Sequence, residues 1–301
     1  MVEVEYTHVL SLHENKTINI DQKIPMNGVC CFRPLDAAFA NSTQPELGTV
    51  RDEQSIGRSQ YNGVNFTYRQ RMTRHFSVNA NYTLSWAYGF GSGSGSFRNY
   101  PALATDPFAS YEWGPSPNDE RHHVTVSGII ELPKGFQLSP ILQYGSARPY
   151  ENGNAIGAYS ISNSSNTLNT GGGTFSDPVV VPINDPTNYF AFAGNNTAAQ
   201  NCFYGLGQPK TCTIVNFDSL RGDPFFQLDL RLAKNIRFGE RFNVQLVAQA
   251  FNLTNRANYG NDFNNNISNP ATFGHPEGFI NPSSTTTPRS LWGEFGVRFT
   301  F

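Results

Sequence analysis

The sequence predicts an all-β protein whose antiparallel strands follow one another in up-and-down order, and three observations support this prediction. Apolar and polar residues alternate with a period of two in many segments, as side chains alternate between the two faces of a β-strand. The links between these segments are alternately short and long. No apolar run approaches the roughly 20 residues of a transmembrane helix, and the mean hydropathy is only −0.41.

The alternating segments recur from the N-terminus to the C-terminus. In each of them the apolar residues share one face of the predicted strand, and mainly polar residues occupy the other. We therefore predict about eight strands, each close to the roughly 9–11 residues that a tilted strand needs to cross a bilayer. They cover residues 2–6, 64–68, 76–84, 124–132, 136–144, 226–232, 242–250 and 291–301.

The last strand shows the alternation most clearly. One face carries Leu291, Gly293, Phe295, Val297, Phe299 and Phe301, and the other carries Trp292, Glu294, Gly296, Arg298 and Thr300. A register shift of one residue would turn Glu294 and Arg298 toward the apolar surroundings, and an Arg at the middle of a bilayer costs about 2–4 kcal/mol. The pattern therefore fixes one register strongly.

The links separate a membrane barrel from a soluble sandwich. Short links cover 70–75, 133–135 and 235–241, and long polar links cover 10–60, 87–121, 147–223 and 256–289. We expect the long links to be structureless. Such links argue against a compact soluble domain, and a sandwich has turns every 8–12 residues or so. Short periplasmic turns and long outer loops are typical of an up-and-down antiparallel transmembrane β-barrel, and this is the fold we predict.

Composition and the chain start limit the possible partners. The formal net charge is −2, so no strong attraction to nucleic acid is implied, and we expect no nucleic-acid partner. The first six residues are acidic and strand-like, with neither a basic start nor an apolar core. We therefore see no signal peptide and expect either a mature chain or a fragment.

Two of the four cysteines form a candidate disulfide. Cys202 and Cys212 lie in one polar link, and neither they nor the adjacent Cys30 and Cys31 have the spacing of zinc ligands. In an oxidising compartment we expect Cys202 and Cys212 to be joined. We assign no function to Cys30 and Cys31.

Several motifs that suggest chemistry have simpler interpretations. His122 and His123 fall on opposite faces of one strand, so we predict no joint metal site. Residues 221–223, Arg-Gly-Asp, are interpreted as a turn before a strand. The Gly-Ser run at 91–96 lacks the ending of a phosphate loop and, like the glycines at 171–173, indicates a flexible link. No catalytic constellation is found, so we predict that the chain is not an enzyme and needs no cofactor.

The chain end resembles a known targeting signal. Residues 294–301 combine a polar residue, a glycine and two aromatics at fixed spacing, ending on Phe. This pattern is similar to the C-terminal insertion signal of bacterial outer-membrane barrels, which the barrel assembly machinery reads. The resemblance assigns the signal to Glu294, Gly296, Phe299 and Phe301.

Upstream segments resemble TonB-dependent receptors of the Oar-like type. The similar segments are residues 118–133, 220–232 and 241–255, and they keep the family's order and spacing over the last two-thirds of the chain. Such receptors have barrels of about 22 strands, with a plug domain and a TonB-contacting segment. The resemblance therefore implies that residues 1–301 are the C-terminal part of a larger barrel, without the plug and the N-terminal strands.

The resemblance also implies the setting and the partners. The chain would lie in the bacterial outer membrane, in contact with lipid, and would depend on the plug, on the N-terminal strands and on TonB through them. Its function would be ligand uptake or surface display, with an unknown ligand. Two alternatives stay open: a complete small barrel acting as an adhesin or structural anchor, and a secreted carbohydrate-binding β-sandwich.

Overall fold

The computed structural model describes residues 1–22, 24–36, 47, 50–90, 101, 103–150, 179–192, 195–216, 219–239, 242–260, 263–264, 270–280 and 290–301. The glycine-rich runs at 91–96 and 171–173 lie outside these ranges. In chain order the described elements are β1 (Val2–Asn19), β2 (Ile24–Met26), β3 (Val29–Phe32), β4 (Arg51–Gln70), β5 (Phe76–Gly89), β6 (Gly114–Pro115), β7 (His122–Leu132), β8 (Phe136–Gly145), β9 (Val180–Pro182), α1 (Asn196–Tyr204), β10 (Cys212–Ile214), β11 (Phe225–Phe238), β12 (Phe242–Phe251) and β13 (Trp292–Thr300).

The long strands form one antiparallel sheet in up-and-down order. The order is β1-β4-β5-β7-β8-β11-β12-β13, and the two-residue β6 pairs with the outer end of β5. These eight long strands match the eight predicted from the alternation, so the predicted all-β, up-and-down fold is confirmed. Within the described part of the chain, no helix combines the length and the apolar character needed to cross a membrane.

The register aligns the apolar residues of neighbouring strands. Val4 pairs with Phe66, and Phe66 pairs with Tyr82. The same row continues through Val124, Tyr144 and Phe226. Because alternate residues point to opposite faces, the whole row lies on one face of the sheet, which we call the outward face.

The outward face has no protein layer over it at the C-terminal edge. Phe295, Phe299 and Phe301 are 91%, 70% and 95% exposed. In a β-sandwich such a face would pack against a second sheet. The described residues form no second large sheet, so the sandwich alternative is wrong. A hydrocarbon environment is what an exposed apolar face of this kind requires.

Three strands extend more than five residues past an end that the sequence predicted. β1 continues to Asn19 and β4 begins at Arg51, whereas the alternation predicted a link over residues 10–60. Their outer halves are mostly polar on both faces, because strands that extend beyond the membrane need no continuous apolar face. β11 likewise continues to Phe238, past the link predicted to begin at residue 235.

The short turns stay close to the sheet. Lys134 and Gly135 both have positive φ, 62° and 78°, in the turn between β7 and β8. A Cβ at residue 135 would lie 2.8 Å from the carbonyl oxygen of Asn235, so the close approach of the β11 backbone requires glycine here. This end of the sheet carries the short links, as the sequence predicted.

At the opposite end, parts of the second and third long links fold into a small layer with its own core. We call the described residues 103–115 and 179–216 the outer cap. Its apolar core contains Ala109, Tyr111, Val180, Ala199, Cys202, Phe203, Cys212 and Ile214. The core joins both links, so the expectation that the long links are structureless was wrong for these residues.

The helix of the outer cap has defined ends. Asn195 caps its N-terminus, because its side-chain oxygen accepts a hydrogen bond from Ala198 N at 3.0 Å. Gly205 ends it in the left-handed conformation with φ 67°. Such caps satisfy backbone groups that a helix end leaves open. The cap helix packs on β10, which pairs with β9.

Candidate functional site

The face opposite the outward face is polar in its central part. Thr67 donates a hydrogen bond to Asn81 Oδ1 at 2.9 Å, and Thr83 donates to Asn65 Oδ1 at 3.2 Å. These bonds run across β4 and β5, so polar side chains of neighbouring strands satisfy one another. We call this surface the inner wall. A wet lumen or a polar plug is the kind of environment that suits such a wall.

The inner wall continues to the C-terminal edge of the sheet. Arg231 donates to Gln245 Oε1 at 3.4 Å, and Gln249 donates to Glu294 Oε2 at 3.2 Å. Together with Arg298 these side chains line a groove of about 550 Å³. Both charged residues of β13 therefore belong to the inner wall, as the register argument predicted.

An acidic residue ties the outer ends of three strands together. Asp119 precedes β7, and its side chain is fully buried. Its carboxylate accepts from Ala87 N at 2.8 Å and from Arg221 Nη2 at 2.6 Å. Ala87 is in β5 and Arg221 precedes β11, so the buried carboxylate fixes three chain segments at the rim.

The next residue forms a second charged centre. Glu120 accepts from Arg148 Nε at 2.6 Å and is hydrogen-bonded to His123 Nδ1 at 2.5 Å. Burial of Glu120 by itself raises the pKa of its carboxyl, but the hydrogen bonds and positive charges of His123 and Arg148 outweigh it and lower the pKa. The carboxylate is therefore held ionised between two basic side chains.

Gly145, at the end of β8, makes room for this centre. A Cβ at residue 145 would lie 2.7 Å from Oε1 of Glu120, closer than Cβ atoms approach other heavy atoms. The carboxylate thus lies directly over the glycine backbone. The φ of Gly145 is not positive, so the backbone conformation does not require glycine here. The close approach of the Glu120 carboxylate does.

A pocket, which we call the rim pocket, opens beside Glu120 at the outer end of the inner wall. Its volume is about 200 Å³, and its lining combines charged groups with the apolar side chains of Phe225 and Ile280. Ile280 belongs to the last long link, so this link folds back over the sheet. The remaining lining residues are Glu120, His123, Gln143, Gly145, Ser146, Arg148, Asp223 and Gly260.

A buried ion pair anchors the outer cap on β1. Lys16 Nζ lies 3.9 Å from Glu112 Oε2, and both side chains are fully buried. Lys16 also donates to the carbonyl oxygen of Phe90 at 2.8 Å. Charges without access to water require such partners, so the position of the cap relative to β1 is closely specified.

The candidate cysteines lie together in the outer cap. A disulfide joins Cys202 in α1 to Cys212 in β10, with 5.6 Å between their Cα atoms. Both residues are buried in the core of the cap. The bond therefore links the helix to the β9–β10 hairpin. The side chains of Cys30 and Cys31 in β3 lie outside the described part of the chain.

The four residues of the insertion signal lie along or just after β13. Glu294 pairs with Gln249, Gly296 with Val247, and Phe299 with Val244. Phe301 follows the strand and is almost fully exposed. Nothing lies within 4 Å of a Cβ placed at residue 296, so the sheet itself does not require this glycine. The structure does not bring these residues into one pocket; they form an exposed edge.

The other motifs show no joint chemistry. His122 Nδ1 is hydrogen-bonded to Tyr82 at 2.9 Å, whereas His123 contacts Glu120. Within the described ranges, no three His, Cys, Asp or Glu side chains are grouped so that they could hold a metal. Arg221 is engaged with Asp119, and Asp223 lines the rim pocket.

The sequence did not predict the two charged centres around Asp119 and Glu120. Asp119 and Glu120 lie just before a predicted strand, while Arg148 and Arg221 lie near the two ends of the third long link. Charged residues at strand ends were a signal, but their pairing follows only from the strand register. The outer cap was missed for a similar reason, because its apolar residues are scattered through polar links.

A single antiparallel sheet with an apolar outward face and a polar inner wall defines the class of protein: it is the wall of a membrane β-barrel. Residues 1–291 match the model of the family described as "Outer membrane beta barrel domain". The chain belongs to this family, and its location is the outer membrane.

The chain is also similar to solved structures. The fold is similar to the outer membrane transporter YddB from Escherichia coli, with a TM-score of 0.39 and 10% sequence identity. The match covers 85% of this chain and 26% of that one, so the chain spans about a quarter of the transporter's length. No curated protein matches the chain.

Proposed function

We propose that this chain is the C-terminal part of the barrel wall of a TonB-dependent, Oar-like receptor, which takes up a ligand or displays it at the surface. The observation that supports this is the pair of sheet edges. Among the described strands, β1 and β13 each pair on one side only. An unpaired backbone group in hydrocarbon costs several kcal/mol, so both edges need partner strands within the membrane.

The two edge strands differ too much in length to pair fully with each other. β1 has 18 residues and β13 has 9, so direct closure would leave about half of β1 without a partner. An eight-stranded barrel also has an interior just wide enough to be filled by side chains. Additional strands between β1 and β13 account for both facts, and a plug domain would then contact the inner wall.

The remaining partners follow from this proposal. The barrel assembly machinery would read β13, and TonB would act through the plug rather than through this chain. The rim pocket and the outer cap would face the incoming ligand. The chain would carry no enzymatic activity and hold no cofactor, because its work would be to form a wall and a recognition surface.

The proposal predicts the size of the native polypeptide. Antibody raised against β13 is used to blot outer-membrane fractions, heated and unheated, and the gel band is analysed by peptide mass spectrometry. We expect a heat-shifted band several-fold larger than 33.3 kDa, with peptides from plug and upstream strands. Pull-down with the periplasmic domain of TonB should retain this band.

A heat-shifted band near 33 kDa without upstream peptides would contradict the proposal. It would instead support the small barrel that acts as an adhesin or anchor. A large band that TonB does not retain would leave the barrel part of the proposal in place and overturn the TonB-dependent part.

A further inference from the structure

Arginines and aromatic rings contact one another in turn near the outer ends of β4 and β5. The guanidinium carbon of Arg121 lies 4.9 Å from the ring centroid of Trp86. The guanidinium carbon of Arg58 lies 5.2 Å from the ring centroid of Phe90 and 5.5 Å from that of Trp113. Tyr88 connects the two halves, because it accepts from Arg121 Nη2 at 3.4 Å and stacks on Trp113. We call these six residues the rim ladder.

The strand register places three residues of the rim ladder on the outward face. Along β5, Trp86 and Tyr88 continue the alternation of the outward residue Tyr82. Along β4, Arg58 has the same parity as Phe66. Trp86, Tyr88 and Arg58 therefore face away from the inner wall, in line with the lipid-facing residues. Trp113 stacks on Tyr88, and Phe90 is buried, with 4% of its surface exposed.

The length of the strands gives the height of the ladder. A tilted strand crosses a bilayer in about 9–11 residues. Counted outward from the exposed Phe76 at the periplasmic end of β5, this length ends near Trp86, and counted from Tyr68 on β4 it ends near Arg58. The rim ladder thus lies at the outer membrane–water boundary, where aromatic side chains are favoured.

The basic side chains in and beside the rim ladder differ in whether a carboxylate neutralises them. Arg121 lies 3.6 Å from the carboxylate of Asp119, which also binds Arg221. Lys16 lies beside the Phe90 ring but is paired with Glu112. Arg58 is exposed, and in the described part of the chain it forms no ion pair with a carboxylate.

Two rings hold Arg58 in place while its charge stays available. Cation–π contacts with Phe90 and Trp113 restrict the side chain, so less conformational entropy is lost when it binds a further group. A planar guanidinium is well suited to phosphate oxygens. A basic side chain at the headgroup level attracts anionic lipid.

We propose that Arg58, held between Phe90 and Trp113, binds the phosphate of a phosphorylated lipid in the outer leaflet. The partly exposed rings of Trp86, Tyr88 and Trp113 would contact the sugar or acyl part of the same lipid, since such rings combine an apolar face with a position at the boundary. The site is independent of TonB and of the number of strands in the complete barrel.

The test uses the native-length protein purified from outer membranes in detergent. Tryptophan fluorescence is followed during titration with lipid A and, separately, with dephosphorylated lipid A. We expect lipid A to bind more tightly than its dephosphorylated form. Arg58→Gln should weaken lipid A binding about fivefold, the effect of one basic residue at an anionic surface. Arg58→Lys should retain more of the binding than Arg58→Gln.

Arg74→Gln is the matched control, because Arg74 is an exposed arginine in the short turn at the other end of the same two strands. Folding of each variant is checked by the heat-shifted band. If the unaltered protein binds lipid A and dephosphorylated lipid A equally well, the proposal is wrong, whatever the variants show. An equal effect of Arg58→Gln and Arg74→Gln would also overturn it. Displacement of lipid A by an equal concentration of inorganic phosphate would show a site for free anions instead.

Discussion

Arg221 donates from Nη2 to Oδ2 of Asp119 at 2.6 Å, although the two residues are 102 positions apart in the chain. Arg221 Nη1 also donates to the main-chain oxygen of Asp119 at 3.0 Å. β7, β8 and most of the third long link lie between them. Arg221 Nη1 also donates to the carbonyl oxygen of Ala147 at 3.2 Å, so Arg221 connects both ends of this link to Asp119, which also holds β5.

We expect Asp119→Asn to lower the free energy of unfolding by about 1.5–3 kcal/mol, because hydrogen bonds to a charged group are worth about that much. Denaturant titration of the purified protein, followed by loss of the folded gel band, measures the change. Asp106→Asn, an exposed change in the same link, serves as the control. The effects of Asp119→Asn and Arg221→Met should not add, because each removes the same interaction. Additive effects would mean that the two side chains do not act together.

The Glu120 centre should make stability depend on pH. Despite burial, the hydrogen bonds and charges of His123 and Arg148 lower the pKa of Glu120 below its ordinary value of 4.5. A lowered pKa contributes stability that is fully present above the unfolded value and is lost as pH falls through the folded value. Glu120→Gln should therefore melt at a lower temperature than the unaltered protein at pH 7, and the difference should shrink as the pH falls below about 4.5.

Melting curves of the folded gel band at several pH values measure this difference, with Glu131→Gln at the other end of β7 as the matched control. If the gap between Glu120→Gln and the unaltered protein is constant across this pH range, the assigned role of the carboxylate is wrong.

Gly145→Ala should displace the Glu120 carboxylate. The added Cβ would lie 2.7 Å from Oε1, and overpacking of this kind costs about 1–3 kcal/mol. Gly293→Ala is the control, because a Cβ there lies 3.4 Å from its nearest neighbour, an ordinary contact. In a protein that already carries Glu120→Ala, most of the destabilisation caused by Gly145→Ala should disappear. Equal destabilisation in both backgrounds would show that the clash is not with Glu120.

We expect Cys202 and Cys212 to be joined in intact cells. Thiol labelling of the denatured protein without reductant should find both blocked, and labelling after reduction should find both free. Replacement of both by Ser should destabilise the outer cap by about 3 kcal/mol, the loop-closure effect for a link of this length. Limited proteolysis would then cut the cap faster while leaving the strands intact. Free thiols at both positions without reductant would refute the pairing.

Deletion of Phe299 to Phe301 should block assembly into the outer membrane, because the aromatic end of β13 is what the assembly machinery is expected to read. The measurement is the amount of heat-shifted protein in outer-membrane fractions. Val297→Ala is the control, since it removes apolar surface from the same face without touching the signal. Normal amounts of folded, membrane-embedded protein after the deletion would show that the signal lies elsewhere.

The sequence predicted the sheet well where the membrane imposes a pattern. Between Phe76 and Tyr144, and again from Phe242 to the C-terminus, the predicted strands agree with β5, β7, β8, β12 and β13 to within a few residues. Lipid on one side and polar surroundings on the other force a period of two, and this period is readable without coordinates. Where the same constraint ends, on the outer halves of β1 and β4, the prediction stopped short.

The sequence by itself therefore determined the all-β class, the strand order and the two faces, including the positions of Glu294 and Arg298 on the inner wall. Tertiary structure alone decided the contacts of the rim and the cap: Asp119 with Arg221, Glu120 with Arg148, and Lys16 with Glu112. The physical reason is the range of the interactions. Alternation is a local property of one strand, whereas each of these charge pairs joins segments that become neighbours only after the strands have paired in register.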